Sequence, residues 1–200
     1  MSLSILVVCT GNVCRSPMAE QLLAVRLTDA GIDATVRSAG TAALVGHPMP
    51  TEASALSARY GGVPDHHLGV QLTERLVDDA DLVLTAAREH RAQVASLLPK
   101  AARRSYTLRE FARIVEFLER DPEGFVSLAA ASSSREVIEA VSMNRGLATP
   151  PVVANDDDVV DPWGRSVEVY EASGRVIDAA VSAIVRAFTP ASRLGSRGAA

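Results

Sequence analysis

Two side chains near the start of the chain, a thiol and a guanidinium, have the types and spacing needed to attack and hold a tetrahedral oxyanion. Cys9 and Arg15 enclose five residues, and the loop reads CTGNVCR. A loop of this length between a strand and a helix can aim several backbone N–H groups at one point, where the helix N-terminus adds positive charge. These dipoles and the guanidinium favour the thiolate of Cys9, the nucleophilic form of cysteine. Because Arg15 offers a planar fork for two phosphoryl oxygens, the pair predicts covalent phosphoryl transfer.

The segments on either side of this loop have the patterns of a buried strand and a helix. Residues 3–8 are almost entirely apolar and rich in β-branched side chains, which indicates a strand buried on both faces of a parallel sheet. Ser16 and Pro17 predict the N-cap and the first position of a helix that ends near Gly31. Ligands bind such sheets at the carboxyl ends of the strands, where this loop must lie.

The string CTGNVCRSPMAE, residues 9–20, resembles the signature of the low-molecular-weight protein tyrosine phosphatase family. The resemblance covers about residues 3–106 and 152–188. It implies that Cys9 attacks phosphorus while the loop amides and the arginine bind the phosphate. The phosphate-binding residues that it implies are Thr10, Gly11, Asn12, Val13, Cys14, Arg15 and Ser16. Residues that brace the loop in the family correspond here to Asn12, Ser16, Ser38 and His67.

Two of these bracing assignments have an ordinary alternative. Ser38 could be a simple hydroxyl at a strand end, and His67 could be a structural or exposed loop histidine. The sequence also departs from the family just after His67, because Gly69 and Val70 stand where Ala and Arg are usual.

A carboxyl group from the last third of the chain is predicted to complete the site. A leaving phenolate needs a proton, and a carboxylic acid on a loop facing the phosphate can donate it. In the resembled family this acid is an Asp followed by Pro and an aromatic residue, which corresponds here to Asp161, Pro162 and Trp163. The resemblance also makes Leu44 and Trp163 walls of the substrate slot, with Trp163 stacking on the substrate ring.

An acidic run, residues 156–158, precedes this motif. Its charges could act on Asp161 if they lay nearby. Such runs are more often solvated turns, and we expect a turn here.

The remaining apolar patterns predict an α/β fold. Strands are expected over residues 34–38, 81–85 and 101–107, and helices over 51–60, 87–98 and 166–188. This alternation predicts a four-stranded parallel sheet flanked by helices on both faces, which is also the fold that the resemblance implies. Residues 108–150 do not match the compact family and predict a helical insertion on the flank, with helices over 110–118, 122–131 and 134–143. We expect a single domain over 1–189 and a flexible tail over 190–200.

Composition and charge limit the partners. A hydrophobic content of 48% with 22% charged residues is typical of a globular protein, and a net charge of −4 gives no reason to expect nucleic acid or an anionic membrane as partner. No apolar stretch approaches the roughly 20 residues of a membrane span, and no basic segment precedes the first apolar run. We therefore expect a cytoplasmic protein, a monomer or weak dimer. It needs no metal or other cofactor, because the loop and Arg15 supply the positive field.

The two cysteines of the chain, Cys9 and Cys14, both lie in the loop. A secreted disulfide framework is therefore implausible, and a reducing compartment is favoured. In the resembled family a second cysteine at this spacing can form a reversible disulfide with the nucleophile. Cys14 could equally fill a small apolar space beneath the loop.

The resemblance implies a protein tyrosine phosphatase whose substrate is a phosphotyrosine-containing protein or a small phosphomonoester. Residues 42–46 resemble the bacterial subgroup associated with tyrosine kinases of polysaccharide synthesis. Two alternatives stay open. One is a small-thiol-dependent arsenate reductase on the same scaffold, since arsenate and phosphate share shape and charge. The other is a phosphate-binding module without catalysis.

Overall fold

The computed structural model describes residues 2–120, 128 and 131–189. The strands are β1 (Leu3–Cys9), β2 (Ala34–Gly40), β3 (Leu82–Thr85) and β4 (Ser105–Thr107). The helices are α1 (Arg15–Asp29), α2 (Thr51–Arg59), α3 (Glu74–Asp78), α4 (Arg88–Leu97), α5 (Leu108–Arg120), α6 (Ser134–Asn144) and α7 (Val167–Phe188). Short 3-10 helices cover Pro99–Arg104 and Ala154–Asp157.

The four strands form one parallel sheet in the order β2-β1-β3-β4, which confirms the predicted sheet. β1 is central, and its last residue, Cys9, pairs in register with Gly40 at the end of β2. The loop that follows Cys9 therefore starts at the carboxyl edge of the sheet, where parallel sheets bind their ligands.

Helices cover both faces of the sheet because the buried side chains of β1 alternate between two apolar cores. Ile5 and Val7 pack into the larger core with α1, α5 and α7. Leu6 and Val8 pack into a smaller core to which α4 contributes Val94. This two-sided burial explains the nearly continuous apolar run of β1.

Two predicted boundaries are wrong for local reasons. The strand expected over 101–107 begins only at Ser105, since Pro99 starts a 3-10 helix that carries Ala101 into the smaller core. The first long helix begins at Arg15, ahead of the predicted N-cap Ser16. The Ser16 hydroxyl does not cap that helix, because it bonds to groups of the preceding loop.

Helix α5 belongs to the main core, although residues 108–150 were expected to pack on the flank. Phe111, Ile114 and Leu118 are completely buried, and the Phe111 ring stacks on Phe188 of α7 at 6.3 Å between centroids. Helix α6 agrees with the predicted helix over 134–143. The helix predicted over 122–131 falls mostly outside the described residues, and the predicted tail over 190–200 lies entirely outside them.

Within the described ranges, no helix combines the length and the apolar character needed to cross a membrane.

Candidate active site

The loop between β1 and α1 folds tightly around the sulfur of Cys9. Asn12 has φ of 55°, a left-handed conformation that Asn tolerates better than most residues. This turn lets the Asn12 backbone N–H donate to Cys9 Sγ at 3.3 Å, while Ser16 Oγ lies 3.0 Å from the same sulfur. Cys9 is only 2% exposed. A buried sulfur with two polar hydrogen-bond partners at a helix N-terminus is well placed to carry negative charge.

The side chains predicted to brace the loop come together around Asn12. Its Nδ2 donates to Ser16 Oγ at 2.9 Å and to Ser38 Oγ at 2.8 Å, and its Oδ1 accepts from the Val70 N–H at 2.8 Å. His67 Nε2 lies 2.7 Å from the Asn12 carbonyl oxygen. Because Asn12 bonds to three separate segments, its left-handed conformation is held by tertiary structure.

Glu20 extends this network, and the sequence reasoning missed it. Ser38 Oγ donates to Glu20 Oε2 at 2.5 Å, and His67 Nδ1 lies 3.9 Å from the same oxygen. Burial raises the pKa of the Glu20 carboxyl above its usual range, against the opposing effects of the Ser38 hydrogen bond and the charge of His67. Glu20 is the last residue of the signature string at residues 9–20, and its place in that string is the sequence signal that could have identified it.

Gly69 has a physical reason for departing from the family pattern. A Cβ added to Gly69 would lie 2.3 Å from the Leu44 carbonyl oxygen, so only glycine allows this approach. Residues 45 and 69 form a parallel bridge. In the same segment the Leu44 N–H donates to the Gly11 carbonyl at 3.0 Å. Leu44 is thereby held against the loop.

Arg15 joins the loop to the predicted acid, although the two residues are 146 positions apart. Arg15 is 4% exposed, and its Nη2 donates to Asp161 Oδ2 at 2.6 Å and to Thr10 Oγ1 at 3.3 Å. Its Nη1 donates to the Val159 carbonyl at 3.1 Å. The Asp161 side chain is 48% exposed, and its Oδ1 accepts from the Trp163 N–H at 3.2 Å.

These groups line one cavity of about 170 Å³. Its lining residues are Cys9, Thr10, Gly11, Val13, Cys14, Arg15, Ala42, Leu44, Asp161 and Trp163. Both predicted walls, Leu44 and Trp163, are among them. Asn12 and Ser16, which were expected to bind phosphate, are absent from this lining and completely buried, so their side chains brace the loop. Among residues 2–120, 128 and 131–189, no cluster of three or more His, Cys, Asp or Glu side chains could hold a metal ion.

Cys14 is buried in the loop and lines part of the active-site cavity. Burial raises the pKa of the Cys14 thiol to about 12, and its sulfur lies 4.0 Å from the Tyr170 hydroxyl. The thiol is therefore neutral at ordinary pH and is not a competing nucleophile in this conformation. It borders a small apolar space shared with Met18 and Leu56, as one of the two alternatives for Cys14 expected.

His90 is a polar neighbour of the site that the sequence reasoning missed. It lies in the first turn of α4, is 1% exposed, and places Nε2 at 2.9 Å from Thr10 Oγ1, the atom that also accepts from Arg15. Burial, with a smaller effect from the Arg15 charge, lowers the pKa of His90 to about 4. A lone histidine in a helix, 80 positions from its partner, gives no pattern that sequence reading could detect.

His90 makes stability depend on pH in a predictable direction. The unfolded chain takes up a proton on this imidazole below about pH 6.5, whereas the folded protein does so only near pH 4. Within this window, lowering the pH therefore lowers the free energy of unfolding. We expect His90→Leu to gain stability relative to the wild type as pH falls from 7 to 4, by up to about 3 kcal/mol. Urea unfolding of both proteins at several pH values measures this difference. A difference that is constant with pH would contradict the neutral, buried state of His90.

The acidic run before Asp161 is not the solvated turn that its composition predicts. Asp157 Oδ2 lies 2.8 Å from Arg113 Nη2, and Asp158 Oδ2 lies 3.2 Å from Arg88 Nη2. That prediction is wrong for these two residues because α4 and α5 present cations to them, which no local pattern reveals. Asp156 is exposed.

Comparison with known proteins gives consistent matches. A family model described as low molecular weight phosphotyrosine protein phosphatase matches residues 4–123. The low molecular weight protein-tyrosine-phosphatase Etp of Escherichia coli K12 is 44% identical over 97 residues, which is 48% of this chain and 63% of the relative. The chain thus spans less than two thirds of that relative's length.

Two further relatives match over most of their length. The protein-arginine-phosphatase of Bacillus subtilis is 29% identical over 170 residues, covering 84% of this chain and 85% of the relative. The crystal structure of the tyrosine phosphatase amsI of Erwinia amylovora superposes with a TM-score of 0.67 at 25% identity, covering 94% of this chain and 95% of the other.

Proposed function

The chain belongs to the low molecular weight phosphotyrosine protein phosphatase family, and from this premise we propose that it is a protein tyrosine phosphatase acting through a phosphocysteine. The observation that carries the proposal is the 2.6 Å contact between Arg15 and Asp161 at the cavity that also contains Cys9. It supports a nucleophile, a phosphate-binding cation and an acid acting on one phosphoryl group.

The first step transfers the phosphoryl group to sulfur. Cys9 Sγ attacks phosphorus in line, the S–P bond forms, and the bond between phosphorus and the phenol oxygen breaks. Asp161 gives its proton to the departing oxygen. Arg15 and the loop amides stabilise the equatorial oxygens, whose charge is spread in the transition state.

The second step frees the enzyme. Water attacks the phosphorus of phosphocysteine, and Asp161, now a carboxylate, accepts a proton from this water. The S–P bond breaks, inorganic phosphate leaves, and the thiolate of Cys9 returns. Because the loop and Arg15 supply the positive field, neither step needs a metal or another cofactor.

The walls of the cavity favour an aryl phosphate. The sulfur is almost fully buried, so the phosphate must reach it at the end of a long side chain. Val13, Ala42, Leu44 and Trp163 give the cavity apolar walls that suit an aromatic ring. Phosphotyrosine has the reach and the ring, whereas phosphoserine has neither.

A second candidate substrate is phosphoarginine. It is favoured by the relative that matches 84% of this chain, which is named a protein-arginine-phosphatase. The apolar walls offer the guanidinium of phosphoarginine few hydrogen-bond partners besides Asp161, so we rank it second. The relatives reported above are all named as phosphatases, which disfavours the arsenate reductase and the non-catalytic binding module.

Matched peptides carrying phosphotyrosine, phosphoserine or phosphoarginine test the assignment. We expect phosphate release from the phosphotyrosine peptide at a kcat/KM at least about 100-fold above that for phosphoserine. Release from phosphoarginine alone would move the assignment to the second candidate. Binding without release, or turnover of arsenate with a small thiol and no phosphatase activity, would overturn it.

The setting of this activity belongs to the same proposal. We place the enzyme in the cytoplasm, because both cysteines are free thiols that suit a reducing compartment. We also propose that residues 1–189 form a single domain. Its substrate would be a phosphotyrosine protein, for which the resemblance of residues 42–46 suggests a tyrosine kinase of polysaccharide synthesis.

A further inference from the structure

We propose that helix α5 clamps the loop carrying Asp161, and that Arg113 and Arg88 are positioning residues for this carboxyl group. The inference rests on the proposed function, in which Asp161 moves the proton. It gives a role to the helical segment that begins at residue 108, for which the sequence indicated no function.

Arg113 joins α5 to the chain that returns to the active site. Its Nη2 and Nε donate to the two carboxylate oxygens of Asp157 at 2.8 and 3.2 Å. Its Nη1 donates to the carbonyl of Thr149 at 2.9 Å and to that of Ala148 at 3.4 Å. A paired guanidinium and carboxylate fix orientation as well as distance, and the Asp157 side chain is only 13% exposed, which limits screening by salt.

Arg88 holds the next residue from a different helix. Its backbone N–H, at the start of α4, donates to Asp158 Oδ1 at 2.8 Å, and its Nη2 donates to Asp158 Oδ2 at 3.2 Å. The same Nη2 donates to Asn155 Oδ1 at 2.5 Å. Adjacent carboxylates are therefore tied to separate helices.

The tied segment continues to within two residues of the acid. The Val159 N–H donates to the Ala86 carbonyl at 2.7 Å, and the Val159 carbonyl accepts from Arg15 Nη1 at 3.1 Å. Only Val160 separates this fixed residue from Asp161. The position of Asp161 therefore follows from anchors at three successive residues.

The base of the clamp is rigid, because α5 is fixed in the main core by its completely buried Phe111, Ile114 and Leu118. A catalytic group held by a rigid element keeps the geometry that proton transfer requires, and small displacements are costly. Loosening the clamp should therefore weaken protonation of the leaving group more than binding of the phosphate.

Leaving-group dependence separates these two effects. We expect Arg113→Ala and Asp157→Asn each to lower kcat/KM for phenyl phosphate about tenfold, and to change that for p-nitrophenyl phosphate by less than about twofold, because nitrophenolate leaves with little help from an acid. The matched control is Arg120→Ala on the same helix. Arg120 forms an exposed ion pair with Glu116, and both residues are remote in sequence from the loop that carries Asp161. It should leave both values unchanged.

Fluorescence gives a second readout that does not depend on activity. Trp163 is the single tryptophan of the chain and lies two residues beyond Asp161. In Arg113→Ala and Asp157→Asn we expect stronger acrylamide quenching and lower anisotropy of Trp163, with no change in Arg120→Ala.

The outcomes are distinguishable. Equal losses on both phosphates, or Trp163 quenching equal to that of Arg120→Ala, would overturn the clamp while leaving the phosphatase assignment intact. A wild type that hydrolyses neither phosphate would overturn the proposed function, and the fluorescence would still decide for or against the clamp. Asp157→Asn keeps the bonds of Arg113 to Ala148 and Thr149, so it tests the clamp even if Arg113→Ala fails to fold.

Discussion

Cys9→Ser is expected to lower kcat by more than about 10⁴-fold, because a serine hydroxyl in the same position is a far weaker nucleophile than a thiolate. Ser16 Oγ and the Asn12 N–H, which now lie at 3.0 and 3.3 Å from the sulfur, would bond to the new hydroxyl. Binding should therefore survive the loss of chemistry. Steady-state phosphate release and calorimetric titration with a phosphotyrosine peptide measure the two quantities separately.

Rapid denaturation at neutral to alkaline pH during turnover adds a direct test of the covalent intermediate. Mass spectrometry should find a phosphoryl group on Cys9 of the wild type. Unfolding midpoints in urea control for misfolding. Substantial turnover by Cys9→Ser, with the fold intact, would remove the sulfur from the mechanism.

Asp161→Asn is expected to lower kcat/KM for phenyl phosphate by about 10² to 10⁴-fold, the range typical of a lost general acid. The amide oxygen can still accept from Arg15, so the guanidinium keeps its position while the transferable proton disappears. The loss with p-nitrophenyl phosphate should be much smaller, because its leaving group needs little protonation. A series of aryl phosphates of graded leaving-group acidity measures this as a steeper dependence in the variant.

The leaving-group series also separates two roles for Asp161. If Asp161 acted only by holding Arg15, every substrate would lose the same factor. Uniform losses across the series would therefore exclude proton donation by Asp161 and leave it as a partner of the guanidinium.

The parts of the site that could be predicted are those whose signals lie close together in the chain. The apolar strand, the loop from Cys9 to Arg15 and the helix after it form one continuous stretch, and local preferences set each part. Asp161 lies far away, but the Pro and Trp that follow it form a motif that the family resemblance could identify.

The missed features all depend on contacts between distant residues. His90 meets Thr10, and Arg113 meets Asp157, only because the sheet and its helices bring them together. The acidic run looked like a solvated turn because its cations lie in α4 and α5. Likewise, the glycine at position 69 is explained only by the carbonyl of Leu44, which lies where a Cβ would stand.

The ion pair between Arg15 and Asp161 has a consequence for charge selectivity. In the resting site the Asp161 carboxylate already pairs with Arg15 at 2.6 Å. An incoming ester must therefore displace Asp161 before it can bind the Arg15 guanidinium. A doubly charged phosphate monoester is equipped for that exchange, and a singly charged sulfate ester is much less so. The same exchange frees the Asp161 carboxylate from the guanidinium as substrate arrives, and the freed group can then take up from solvent the proton that it later donates to the leaving group.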